Sequence, residues 1–254
     1  MNKIKVVNNI IIPFDNDDIL ISDNNITFLN NGNYFIDYLD CDKVCININI
    51  KDNVCISLLE YSECENILFD KNYNLGKNSS LILSNFYAND TTSEDVNIYL
   101  NEKKASIKYN FSSVSTYNDK YIINIHHLAN DTSSDIFNRT VAKEGSSNIF
   151  DINSYVDNGI RDCYLKQETK IITLGDSNNK INPNMFIGEE STTAVHSSTI
   201  GNINEDNLFY MMSRGISYKE SINLIVKGMI ISNINPDMET RSKILNVLNK
   251  LGGE

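Results

Sequence analysis

From its start to about Gly201 this chain repeats one device: a short run with apolar side chains at alternate positions, closed off by Asn, Asp, Gly or Ser. "CININI" (Cys45 to Ile50) puts Cys45, Asn47 and Asn49 on one face and Ile46, Ile48 and Ile50 on the other. "VCISLL", "LILSNFYA", "VNIYL", "ASIKYNF", "YIINIHHL", "NIFDI" and "KIITL" continue the pattern as far as Leu174. Successive side chains of a strand point to opposite faces, so this alternation, with β-branched and aromatic residues and corners such as "NNGN" and "GDSNN", specifies strands and turns. No stretch here holds apolar residues at i, i+3, i+4 and i+7 for three turns. Residues 1–201 therefore read as a mainly β core. Many short strands with polar corners fit a sandwich, a barrel or a solenoid. Asn-rich corners suit a solenoid, whose bends need residues tolerant of left-handed backbone angles. No tight internal repeat forces that choice, and on the residues alone solenoid and sandwich stand equal.

After Gly201 the period becomes 3.6, and residues 202–254 read as a small helical domain. Asn204 caps a first helix with Glu205 and Asp206 in its first turn, favourable at the positive end of the helix dipole. Leu208, Met211 and Met212 share a face, and Gly215 is placed as a left-handed stop. Ser217 and Glu220 form a capping box, opening a helix with a stripe of Tyr218, Ile222, Ile225 and Met229. Asn235 and Pro236 are placed as cap and first residue of a third helix. Its stripe is Ile244, Leu245, Leu248 and Leu251, and Gly252 ends it. Gly228 costs about 1 kcal/mol within a helix, so either the helix is already ending there or another backbone comes close. Three amphipathic helices in so few residues need the β part or a partner to cover their apolar faces.

The chain has 22 Lys and Arg against 33 Asp and Glu, a net charge of −11. It has no general attraction for phosphate backbones or anionic lipid, so nucleic acid and membrane are not expected partners. The apolar run Ile10 to Ile12 stops at Pro13, too short for a signal peptide or a membrane span, and a cytoplasmic location is expected. Cys41, Cys45, Cys55, Cys64 and Cys163 match neither a disulfide framework nor a common zinc spacing, and read as small apolar residues of strands. The abundance of Asn, Ile, Lys and Asp carries no functional weight in this reading.

The stretch from Thr140 to Ile231 carries a resemblance. "VAKEGSSNIFDINSYVDNGI", "YLKQETKIITLGD" and "FIGEESTTAVHSSTIGNINEDNLFYMMSRGISYKESINLIVKGMI" are similar to the SufB/SufD scaffold subunits of the SUF iron–sulfur assembly system. The matching positions at the helical end are Leu208, Phe209, Tyr210, Arg214, Gly215 and Gly228, with His196 and Gly201 at the ends of "HSSTIG". Upstream, "NIHHLANDTSSDIF" is the most similar piece. The resemblance implies a right-handed parallel β-helix with a C-terminal helical domain, short beside longer members that carry an N-terminal helical domain. It implies a non-enzymatic scaffold that dimerises through the β-helix, with a SufB-like subunit or a second copy of itself. The terminal helices would dock a SufC-like ABC-type ATPase. The chain has no phosphate-cradling glycine loop, so any ATP dependence belongs to the partner.

A nascent iron–sulfur cluster needs thiolates, aided in some sites by imidazole or carboxylate. SufB subunits carry a cysteine where this chain has Thr169 and a glutamate where it has Ser197, so the resemblance is to the SufD-like role. It places His196 near a transient cluster at a shared subunit interface. Cys163 shares an alternation with Leu165, Gln167 and Thr169 but lies about 20 Å from Thr169 along a continuous strand at roughly 3.3 Å per residue, within reach only if a corner intervenes. His126 and His127 must point to opposite faces, one buried and one exposed. Two other readings stand beside the scaffold: a polysaccharide-cleaving β-helix enzyme, for which no carboxylate pair is singled out, and a purely structural subunit that never touches iron.

Overall fold

A computed structural model describes residues 1–12 and 16–251. The early strands among them are β1 (Asn2–Val7), β2 (Ile10–Ile11), β3 (Ile19–Ser22), β4 (Asn25–Phe28), β5 (Gly32–Leu39) and β6 (Lys43–Ile50). The middle strands are β7 (Cys55–Ser62), β8 (Asn66–Leu75), β9 (Ser80–Tyr87), β10 (Thr91–Leu100), β11 (Ser106–Ser115) and β12 (Asn118–His127). Then come β13 (Ser133–Lys143), β14 (Ser147–Val156), β15 (Tyr164–Leu174), β16 (Asn178–Ile187) and β17 (Thr193–Asn202). Three helices follow: α1 (Glu205–Ser213), α2 (Tyr218–Ile234) and α3 (Met238–Leu251). No helix among the described residues is long and apolar enough to cross a membrane.

From β4 onward consecutive strands go to alternate sheets. Sheet A runs β17-β15-β13-β11-β9-β7-β5-β1-β2 and sheet B runs β16-β14-β12-β10-β8-β6-β4-β3. Every pairing is parallel except β1 with β2 and β3 with β4. Sandwich sheets of the kind weighed above are antiparallel, so the tie falls to a parallel β-solenoid.

Alternation does the folding work. Val96, Ile123 and Ile152 stand in register on β10, β12 and β14 and fill the interior, with none of them more than 0% exposed. The alternate residues face out, where Asn124 donates to Asn97 at 3.1 Å, Asn153 to Asn124 at 2.9 Å and Asn184 to Asn153 at 2.9 Å. The abundant asparagine therefore has a structural role as a ladder of amides along sheet B. Corners use Asn and Asp as left-handed residues, among them Asn53 (φ 62), Asn78 (φ 56), Asp131 (φ 58) and Asp162 (φ 59), where a short polar side chain tolerates the conformation. The rungs are unequal: Thr91 pairs with Asn66, 25 residues away, while Asn148 and Asn179 are 31 apart. A repeat of changing length is invisible as a sequence period.

Sheet A has a second apolar face. Its outward residues Phe35, Leu59, Tyr61, Phe86, Val114, Val141 and Ile172 form one buried cluster with Leu208, Val226, Ile230, Ile234, Ile244 and Leu248 of the helices. The helices thus share a core with the solenoid. α2 lies across β9, β11 and β13, and Asn233 Nδ2 donates to the Phe111 carbonyl at 2.9 Å and Ser112 Oγ at 3.0 Å. Far from the exit of the chain, Lys243 of α3 pairs with Asp37 of β5 at 2.8 Å, its ammonium 5.4 Å from the Phe35 and Tyr61 ring centroids.

The helical termini match the sequence expectations at Asn204, at the Ser217–Glu220 capping box and at Gly215 (φ +85). Three details differ. The buried residues of α2 are Ser221, Val226, Ile230 and Ile234; the expected Ile222, Ile225 and Met229 pack partly buried at the border of the same cluster, and Tyr218, in the first turn, is exposed. Asn235 (φ 43) is the left-handed stop of α2, and α3 is capped instead by Asp237, whose carboxylate accepts from the Thr240 amide at 2.8 Å. α3 buries Thr240, Ile244, Val247 and Leu248; of Leu251 only the backbone is described, and Gly252 lies outside the described residues. All five cysteines are free; Cys41 and Cys163 are buried at corners, whereas Cys55 is exposed, contrary to its reading as a buried apolar residue.

The turn between β12 and β13 encloses a polar knot. His127, 1% exposed, has Nδ1 2.8 Å from Thr132 Oγ1 and Nε2 3.0 Å from Ser134 Oγ. Thr132 Oγ1 also donates to the Ala129 carbonyl at 3.0 Å and sits 3.3 Å from Cys163 Sγ. Its neighbour His126 faces out, half-buried, stacked between Tyr99 and Tyr155 at 4.9 and 4.8 Å between ring centroids.

Two outcomes follow from this packing. Ile230→Ala opens a cavity between α2 and sheet A and is expected to cost about 2–5 kcal/mol in urea unfolding, whereas Leu224→Ala, at a 49% exposed position, changes stability by about 0.5 kcal/mol or less. Burial, and secondarily His126, push the His127 imidazole down to about 4. The folded protein thus binds this proton less readily than the unfolded chain, whose histidines titrate near about 6.5. The stability this contributes is present above that pH and is lost as pH falls towards 4. In NMR titration His127 should still be neutral at pH 5.5; a midpoint near 6.5 would contradict the buried geometry.

Candidate functional site

The two ends of the solenoid are built differently. At the first, β2 turns back on β1 and β3 on β4, so antiparallel hairpins cover the stack. At the other, β16 and β17 are the last strands of their sheets and no strand among the described residues pairs with their outer edges. Every residue of β17 except Gly201 is exposed, and Phe186, Ile187, Val195 and Ile200 are exposed apolar side chains of this final rung. An open edge with apolar residues on it is a surface prepared for another strand.

His196 lies on that rung. It is in register with Gln167, and Ser198 with Thr169. Gln167 and Thr169 are each 2% exposed and face the interior, so His196 and Ser198 belong to the same inward face, uncovered only because no further rung stacks on them. Position 169, where a SufB-like thiolate would stand, and His196 are therefore close neighbours on adjacent strands. The floor beneath is polar: Gln167 Nε2 donates to Ser154 Oγ at 2.8 Å and Asn138 Nδ2 to Thr169 Oγ1 at 3.0 Å. Gln167 Oε1 and Asn138 Oδ1 are buried without a partner among the described residues. Ser197 faces outward with Glu168, which bonds Arg139 and lies 3.5 Å from Lys166. Partial burial acts against the Glu168 carboxylate, but the Arg139 hydrogen bond and charge outweigh it and hold the carboxyl below its usual range.

Cys163 is not part of this face. It is 2% exposed at the corner preceding β15, against Val156 and Leu165 and the Thr132–His127 knot. β15 is continuous from Tyr164 to Leu174, so no corner brings Cys163 to Thr169. Among the described residues no three His, Cys, Asp or Glu side chains converge as a metal site. His196 with nearby hydroxyls and an amide is a donor set without thiolate, too hard to hold an iron–sulfur cluster alone.

The helical residues split into two kinds. Leu208 is buried, 8% exposed, and ties α1 to sheet A. Phe209 and Tyr210 are 77% and 60% exposed, and the Arg214 guanidinium lies 5.3 Å from the Tyr210 ring centroid. Tyr218 and Leu224 extend this exposed apolar surface onto α2. Gly215 supplies the left-handed turn between the helices. Gly228 is inside α2, which continues to Ile234, so the helix is not ending there; nor, among the described residues beyond its own helical turns, does any atom lie within 4 Å of where its Cβ would be. Between the Gly175 corner and these helices is a cleft of about 610 Å³ lined by Asp176, Glu205, Lys219, Asn223 and their neighbours. The sequence pattern marked Phe209, Tyr210 and Arg214; the open rung and its polar floor carried no local signal.

Residues 47–229, well over half of the chain, match the family described as SUF system FeS cluster assembly, SufBD core domain. The chain is 24% identical over 135 residues to the iron-sulfur cluster assembly protein SufD of Bacillus subtilis, a match covering 52% of this chain and 31% of that protein. It is 29% identical over 105 residues to an iron-sulfur cluster assembly SufBD family protein of Mycobacterium leprae, covering 41% of this chain and 12% of that one. A SufBD family protein of Staphylococcus saprophyticus is 28% identical over 107 residues, covering 41% and 23%. The matched stretches span less than a third of each relative's length. A parallel solenoid with three terminal helices and a family match along most of its length make this chain a member of the SufBD core family.

Proposed function

We propose that this chain is a non-enzymatic scaffold subunit of iron–sulfur cluster assembly. It pairs through its open rung with a second solenoid and presents α1 and α2 to a SufC-like ABC-type ATPase. The observation that carries the reading is the asymmetry of the two ends. The short antiparallel strands β2 and β3 blunt the first end as a template for strand addition, which favours a pair through the last rung over a growing fibre. The nascent cluster is cargo of that junction. His196 is the residue this chain offers to it, and the thiolates come from a cysteine-bearing, SufB-like partner, since a threonine hydroxyl at 169 cannot replace a thiolate for iron. The exposed Phe209, Tyr210 and Arg214 supply a docking surface of the composition that interfaces favour. Gly228 lets the ATPase backbone approach α2 closely, which gives a reason for a helix-weakening residue with open space above it.

Light scattering on the chain alone and mixed with the cognate cysteine-bearing scaffold tests the junction. Val195→Arg with Ile200→Arg should abolish the pair while leaving the thermal midpoint within a few degrees; a pair that survives both charges removes the open rung from the interface. For the docking surface, Phe209→Ala and Arg214→Glu should each weaken ATPase binding at least tenfold in titration calorimetry. Unchanged affinity in both would reject it. Anaerobic reconstitution of the paired scaffold separates chemistry from mere structure. Loss of cluster absorbance in His196→Ala supports a role towards iron, and unchanged uptake leaves a purely structural subunit.

A further inference from the structure

Inside the solenoid, among the described residues, lies a group of buried charges that none of the surfaces above uses. Lys71 on β8 is completely buried, with Nζ 2.7 Å from Glu60 Oε2 of β7 and 2.6 Å from Glu94 Oε1 of β10, all three side chains 0% exposed. The ammonium also donates to Tyr87 Oη of β9, and Phe69, Tyr87 and Tyr38 surround it with ring centroids 4.6, 5.1 and 5.9 Å away. Glu60 is saturated: Oε1 accepts from Tyr73 Oη at 2.5 Å, and Oε2 takes Lys71 and lies 3.1 Å from Tyr87 Oη. Glu94 differs. Its Oε1 meets Lys71 and lies 3.0 Å from Tyr87 Oη, but its Oε2 is buried without a partner among the described residues.

Two carboxylates and one ammonium leave a net charge of −1 in a dry core, where an unneutralised ion costs several kcal/mol. A proton removes that cost, and the geometry selects its seat. Lys71 is held by two acids and keeps its own proton. Glu60 receives donors on both oxygens, as a charged carboxylate requires. Only Glu94 has an oxygen with nothing donating to it. We propose that the cluster is a one-proton clamp: Glu94 is held as a neutral acid beside a Lys71–Glu60 ion pair, joining sheet A to sheet B inside the middle rungs.

The direction of the Glu94 shift agrees: burial raises its carboxyl, against the opposing pull of Lys71. The other titratable groups facing the cluster are Tyr38, Tyr73, Tyr87, Tyr109 and Tyr121, on β5, β8, β9, β11 and β12, and burial drives each well above the usual tyrosine range. Asp119 of β12, 4% exposed beside Tyr121, is also pushed up by burial, to about 6; it is the same in the parent and in a Glu94 variant, so it cancels when the two are compared. Because the folded affinity of Glu94 for the proton exceeds the unfolded one, its contribution to stability is complete below the unfolded carboxyl range, near about 4.3. That contribution is lost as pH rises through the folded value.

The test is urea unfolding from pH 5 to pH 9 of the full chain and of Glu94→Gln, whose amide stays neutral throughout. The two proteins should have similar unfolding constants at pH 5, and the variant should gain at least tenfold over the parent by pH 9. Parallel curves, or a Glu94→Gln penalty that is the same at every pH, would overturn the clamp. A carbon-13 titration of the Glu94 carboxyl reads the same proton directly in the parent protein, and a midpoint at or below 4.5 would equally reject it. Lys71→Met leaves two facing acids and should lose stability steeply as pH rises; should it fail to fold, the Glu94→Gln comparison still decides.

Discussion

A parallel strand extends hydrogen-bonding groups from both edges, so each rung of this molecule is complete only when another strand lies on either side of it. That requirement organises everything else. It is met within the chain along the stack, and at the first end the short strands β2 and β3 fold back as antiparallel edges. It is not met at β16 and β17. The two ends therefore differ in kind: short antiparallel strands blunt one, and long parallel strands with exposed apolar side chains form the other.

The two sheets then diverge in what their outer faces must do. On sheet B the outward positions carry amides that bond along the stack, as Asn153 does to Asn124, and they need no cover. On sheet A they carry Phe35, Leu59, Phe86, Val141 and Ile172, which do. The helices supply that cover by leaving the last rung and running back to the first. α1 starts three residues after β17, while Lys243 and Glu239 of α3 reach Asp37 of β5 and Lys3 of β1. The helices are thus joined to sheet A through a buried apolar contact. Surface ion pairs such as Lys3–Glu239 add little to that contact.

The legible parts of this architecture were those set by local rules. Strand alternation, the capping box at Ser217 and the left-handed Gly215 depend on a few neighbouring residues, and each could be read from them. Other features depend on what packs opposite. The buried stripe of α2 runs through Val226 and Ile230 because of the sheet beneath it. Asn235 ends one helix rather than starting the next, since Asp237 two residues on offers the better cap. The solenoid itself hid behind rungs whose lengths drift from 25 to 31 residues. The open end was least visible of all. "TAVHSSTIGN" mixes apolar and hydroxyl residues without a clear alternation, and strand pairing across its outer edge is set by what lies opposite in space rather than by its own residues.

The interior of the stack also changes along its axis in a way that bears on the open end. Around β8, β10 and β12 its polar groups, among them the paired charges of Lys71 and Glu94, are set among aliphatic and aromatic side chains such as Ile98, Ile123 and Tyr121. Nearer the last rung the interior holds Asn138, Ser154, Gln167 and Thr169 buried, with two amide oxygens left without donors among the described residues. Such oxygens are costly in a sealed core, where each lost hydrogen bond counts in full. They cost less close to an end whose last strand is exposed to water. A purely apolar floor would have made the unpaired end an aggregation surface. The polar floor keeps the open rung tolerable in water while leaving His196 and Ser198 on the inward face, free to meet whatever is assembled there.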